Sequence, residues 1–191
     1  MSGDCRSVLA TPFGDVVASV GITGDGGVSL TFADRRPAAP SGGRPPVDRV
    51  VGFTAELTAF ASCRFRASLR LVSPREIRDF GPHSGEWLEC VIHEGDAGAI
   101  ALATRDGDWL AEVARWRGRP RSVADDDRGA MVDARGPDLV VDLPAFEAGE
   151  TFTLAMAVAW TTGAGRRDER TFAVWEAADR ALPGRPNSNE R

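Results

Sequence analysis

The chain has 191 residues, 42% of them hydrophobic and 27% charged, with a net charge of −5. Those are the proportions of a globular protein near the upper size of one ordinary domain, not of a disordered chain. The acidic balance argues against a general affinity for nucleic acid or anionic membranes. Lysine, tyrosine and glutamine are absent, and arginine supplies all 23 basic charges, a bias that matches the codon usage of a high-GC bacterial genome. Without lysine there is no Schiff-base or pyridoxal chemistry, no Walker A loop and no serine–lysine nucleophile, and without tyrosine no phenol acid or base.

The N-terminus carries an early acid and no apolar run that could serve as a signal-peptide core. No stretch approaches the roughly 18 apolar residues of a membrane helix. The expectation is a cytoplasmic protein. Cys5, Cys63 and Cys90 are odd in number and widely spaced, which fits free thiols better than a disulfide framework or a zinc knuckle.

In chain order, Val16, Ala18, Val20 and Ile22 alternate with smaller or polar residues, as do Val28, Leu30 and Phe32. With Gly24 to Gly27 between them, the pattern predicts a β-hairpin. Residues 34–48 are rich in proline and glycine and predict an extended surface loop. From Val50 to Val72 alternation returns for two strand lengths, with a turn or bulge near Phe60 to Ser62. Ser73, Pro74 and Glu76 have the spacing of a capped helix start and predict a short helix near 74–80.

Glu86 to Glu94, Ala99 to Thr104, Asp138 to Pro144 and Glu150 to Thr162 read as further strands. Trp109 to Gly118 follows a turn-like Arg105-Asp106-Gly107-Asp108 and is also read as a strand. Residues 122–138 and 163–169 read as polar loops. Phe172, Trp175, Ala178 and Leu182 sit at helical spacing and predict a C-terminal helix. About eight strands at short separations with few helices predict a mainly β fold, an antiparallel β-sandwich or barrel. It is expected to form a single β-rich domain over 1–183, followed by a flexible tail over 184–191.

Three groups could carry function. His83, Glu86, Glu89, His93 and Glu94 hold the only histidines. On a strand, Glu89 and His93 share a face about 13 Å apart, too far to ligate one ion, and no metal or cofactor is expected. Under an enzyme reading, His93 or Glu89 would be the general base, with His83 as a further acid or base. Asp125, Asp126 and Asp127, with Asp133 and Asp138, lack the spacing of a calcium loop and read as a solvated acidic stretch.

Arg64, Arg66 and Arg70 fall on one face of a strand whose other face is apolar. Facing inward they would grip carboxylate or phosphate; facing outward they form a solubilising row or a docking face for an acidic partner, the arrangement that half-exposed sheets favour. Trp160 and Trp175 read as core, whereas Trp87, Trp109 and Trp116 lie in polar surroundings that suit a cleft or interface. The expected function is a non-catalytic accessory or binding protein. It would engage a protein or an anionic small molecule through Arg64, Arg66 and Arg70 or through Trp87 and Trp116, with no nucleic-acid or membrane partner. The alternative is a cofactor-independent small-molecule enzyme, an isomerase, cyclase or hydrolase.

Overall fold

The computed structural model describes residues 3–37, 45–117, 120–124 and 129–184. They form β1 (Asp4–Thr11), β2 (Gly14–Arg35), β3 (Arg49–Val72), β4 (Asp79–Gly85), β5 (Leu88–Gly95), β6 (Gly98–Arg105), α1 (Gly107–Arg117), β7 (Met131–Arg135), β8 (Asp138–Phe146), β9 (Thr151–Thr161) and α2 (Arg167–Ala181). Every ladder is antiparallel. The mainly β, antiparallel class read from the alternation is therefore the class observed. The nine strands make one sheet, barrel-like in its curvature but not closed.

Two unusually long strands organise it. β3 pairs with β2 along nearly its whole length. On its other edge, residues 49–58 pair with β9 and residues 63–69 pair with β8. The sheet therefore branches at β3: one branch runs through β9, β6 and β5 to β4, and the other through β8 to β7. β5 and β6 also lie against the β7–β8 arm without laddering to it, so the two branches curve toward each other.

Alternation then sorts the side chains into two cores. The inner face contributes Val16, Val20, Phe53, Leu57, Phe65, Leu69, Leu154, Met156 and Val158, joined by Leu139, Val141 and Phe146 of β8 and by Trp109, Leu110 and Val113 of α1. The outer face of β5, β6 and β9 contributes Leu88, Cys90, Ile92 and a run of alanines from Ala99 to Ala159, which α2 covers with Val174, Ala177 and Ala178. Small residues on this outer face let the helix approach closely. β6 is buried at every position because both of its faces are covered.

Several expectations are corrected. The glycines at 24–27 do not turn the chain. β2 runs straight through them, and the ladder shifts register there, Gly24 pairing with Cys63 and Gly26 with Ala59. The extra β3 residues, Phe60 to Ser62, are the bulge expected at that position, so two strands read on either side of it are one. The actual hairpin lies upstream, between β1 and β2. There the Phe13 N–H donates to Thr11 Oγ1 and the Thr11 hydroxyl donates to the Gly14 carbonyl, 2.6 Å away.

No helix forms at 74–80. Ser73 and Glu76 adopt left-handed backbone angles, φ 52° and 58°. The N–H of Arg75 donates to the Phe13 carbonyl and that of Arg78 to the Glu94 carbonyl, so the segment is held by its sheet neighbours and leads into β4. The segment from Trp109 is a helix, not a strand: Asp106 accepts from the Trp109 N–H at 2.8 Å, starting α1 in place of a hairpin turn. α2 begins at Arg167, inside the stretch read as a loop, with Glu169 Oε2 accepting from the Arg166 N–H; this is one half of a capping box, since the Arg166 guanidinium has no acceptor to supply the other.

The central part of the proline-rich loop, the Asp125-Asp126-Asp127 run and the tail from Arg185 lie outside the described residues. β1 ladders to β2 only as far as Gly21, with one further bond from the Ile22 N–H to the Gly3 carbonyl. Among the described residues, β2 from Thr23 to Arg35 consequently has β3 as its one neighbour.

Candidate functional site

The histidine-bearing group is divided by the sheet. His83 lies opposite Cys90 in the β4–β5 ladder, on the face that α2 covers. Glu89, Val91 and His93 project from the other face of β5, and Val91 belongs to the inner core. His83 therefore cannot share a reaction centre with Glu89 or His93.

His93 is 3% exposed, and its Nε2 lies 2.9 Å from the Pro137 carbonyl at the β7–β8 turn. A carbonyl only accepts, so Nε2 carries the proton in this contact. Burial lowers the imidazole pKa, opposed by the Pro137 bond and by Asp138. Glu89 is half-buried, and its pKa is raised, first by burial and then by the charges of Asp106 and Asp133. Glu94, on the α2 face, accepts from Arg167 at 2.6 Å and from the Thr171 hydroxyl at 2.6 Å. Arg167 leads in lowering its pKa. Burial pushes the Cys90 thiol up to about 12, while its S–H donates to the His83 carbonyl. Among the described residues no three His, Cys, Asp or Glu side chains are placed to hold a metal ion.

Arg64, Arg66 and Arg70 all point outward from β3, opposite buried Cys63, Phe65, Ala67 and Leu69. They do not behave alike. Arg66 pairs with Asp142 at 3.2 Å and Arg70 with Asp138 at 2.7 Å, both carboxylates coming from β8 next door. Arg64 stands where the β3–β8 ladder shifts register: it pairs with Ala145 while Arg66 pairs with Asp142, which leaves Leu143 and Pro144 bulged between them. Proline has no N–H to give the ladder, and the bulge opens the surface here.

Two troughs meet at Arg64. One, of about 580 Å³, runs between β1, β2 and β3 over Asp4, Thr23 and Arg66. The other, of about 520 Å³, is mainly apolar, with Met131, Leu143, Pro144 and Ala145 around it and Ser122 at its end. The Ser122 hydroxyl is buried and has no hydrogen-bond partner among the described residues. Met131 is 60% exposed.

The tryptophans also separate. Trp109 is buried in the inner core under the Arg105 guanidinium, 5.7 Å from the ring centre, and does not line a cleft. Trp160 is core, as expected, while Trp175 is half-buried against Gly85, where an added Cβ would strike its ring. Trp87, at the β4–β5 turn with φ 67°, packs on the inner core and donates to Glu86. Trp116 is partly exposed near the end of α1 and lines neither of the Arg64 troughs, although Ser122 follows it by six residues.

The residues that complete the Arg64 surface were not singled out from sequence. Pro144 inside a strand was the available signal, since it marks an edge or a bulge. The chain has no match among protein-family models, curated proteins or solved structures. Among the described residues no helix is long and apolar enough to cross a membrane.

Proposed function

We propose that this is a non-catalytic binding protein that engages an acidic partner protein through the outer face around Arg64. The observation that carries the reading is the asymmetry within the arginine row. Arg66 and Arg70 are balanced by Asp142 and Asp138, whereas Arg64 has no carboxylate partner among the described residues and stands between a polar trough and an apolar one. A guanidinium with an apolar trough and exposed Met131 on one side has the composition of an interface, where arginine and methionine are enriched. A partner segment with a carboxylate beside an apolar side chain would satisfy both troughs.

The test is affinity capture from the native cell extract with the parent chain and with an Arg64→Ser/Arg66→Ser/Arg70→Ser variant. The parent is expected to retain a discrete partner that the variant loses, and a photo-crosslinker placed at Met131 should attach to it. An unchanged captured set would reject this face.

A cofactor-independent enzyme is the second reading, and it is favoured by one feature, the raised pKa of half-buried Glu89 beside Asp106 and Asp133. A carboxyl whose pKa is raised above its ordinary value is better suited to act as an acid or base. Carboxyl NMR titration is expected to place Glu89 above the ordinary range of about 4.3. Titration in that ordinary range would remove the support.

A further inference from the structure

A separate cleft, of about 380 Å³, lies on the outer face of the sheet between the C-terminal end of α2, the end of β2, the start of β3 and the middle of β9. Its volume falls within the range of small-molecule sites, roughly 300–1,000 Å³. One wall is apolar, formed by Val50, Ala155, Ala177 and Ala181, and the rim carries Arg35, Arg36 and Arg180. In a chain of net charge −5, this concentration of cations is local.

Two details make the cleft receptive to an anion. Gly52 sits near the start of β3 without a positive φ, so its backbone does not need glycine; the space its missing side chain leaves is taken by Arg35. A Cβ at position 52 would lie 3.1 Å from Arg35 Nε, so the missing side chain lets the guanidinium lie along the sheet floor into the cleft. The second detail concerns the helix end. The C-terminus of an α-helix presents carbonyls and a partial negative charge that repel anions. Here Arg105, buried on the far side, donates to the carbonyls of Asp179, Leu182 and Pro183 and to the Asp179 carboxylate. Those carbonyls are therefore already satisfied. Arg180 pairs with Glu176, but Arg35 and Arg36 have no carboxylate partner among the described residues.

We propose that this cleft binds a small organic anion: a carboxylate held by Arg35 and Arg36, carried on a short acyl or aryl body that packs against Val50, Ala155, Ala177 and Ala181. The site is separate from the Arg64 face, and the two readings stand or fall independently.

Octanoate is a suitable probe, with octan-1-ol and inorganic phosphate as its two halves. Calorimetry on the full chain is expected to show saturable octanoate binding, with the alcohol and phosphate each at least about tenfold weaker. Amide NMR shifts should centre on Gly52 and Ala181. The Arg35→Ser/Arg36→Ser variant changes only exposed side chains and should weaken octanoate by about tenfold or more. Gly52→Ala, which asks the Arg35 side chain to move by only a few tenths of an ångström, should weaken it less than the arginine pair does. Arg64→Ser should leave octanoate unaffected. The proposal is overturned if octanoate does not bind, if octanol binds equally well, if the arginine pair changes nothing, or if the shifts centre on the Arg64 troughs.

Discussion

His93 is committed to the fold: its one proton-bearing nitrogen joins β5 to the β7–β8 turn through the Pro137 carbonyl. Because burial lowers its pKa from the ordinary 6.5, the unfolded chain takes up the proton first as the solution is acidified. The stability due to a neutral His93 is thus complete above about pH 6.5 and declines below it, through the lower folded value. Urea midpoints measured from pH 7.5 down to 5 should show this decline as the difference between the parent and His93→Gln, because Glu89, whose pKa is raised, contributes in the opposite sense in both. In His93→Gln, whose amide can still donate to Pro137, that component should disappear. Glu94 does not confuse the reading: Arg167 and then Thr171 hold its pKa below the ordinary 4.5, so its contribution is lost only at more acid pH. Residue identity alone signals a titratable imidazole on a strand. It does not signal that the imidazole is already bonded, because the Pro137 carbonyl is 44 residues away in the chain.

At the scale of elements, legibility followed the range of the interactions. Strands β5, β6, β8 and β9 are readable because each carries an alternating or mostly apolar run within its own length. α2 was readable from its apolar spacing, although its start was set too late because the first turn is entirely polar, Arg167-Asp168-Glu169-Arg170. α1 was missed because Asp-Gly serves equally as a hairpin turn and as a cap leading into a helix. Asp106 decides for the helix, accepting from the Trp109 N–H, with Asp108 in the first turn and Arg115 and Arg117 in the last to suit the dipole. Asp106→Ala should cost about 1 kcal/mol of stability, read as a lower urea midpoint with an unchanged slope. The false helix at 74–80 failed for the opposite reason: its local capping signal was sound, but the Phe13 carbonyl of the β1–β2 turn takes the Arg75 N–H that a Ser73 cap would have held, and the Glu94 carbonyl of β5 takes the Arg78 N–H that a helix would have bonded internally.

For the whole molecule, sequence alternation established that the arginine row faces away from an apolar side, and the structure places it outward. It could not show that Asp138 and Asp142 neutralise two of the three, since that depends on which strand lies beside β3. Nor could it show the α2 cleft, whose lining comes from four separated stretches of chain brought together by the branch at β3. Strand order is a non-local property, and both candidate surfaces are products of strand order.

The shortness of β1 bears on how copies of the chain behave together. Where β1 stops, β2 continues for more than a dozen residues with one row of peptide groups facing outward, and Phe32, 51% exposed, stands on that stretch beside Phe53. Such a rim is a template for adding strands, and proteins guard it with charge and twist. Asp25 at the bulge and Asp34, Arg35 and Arg36 at the far end are the charges available here. Colloidal behaviour is then tied to ionic strength: salt that screens these few charges weakens the guard on the rim while leaving the apolar attraction of Phe32 in place.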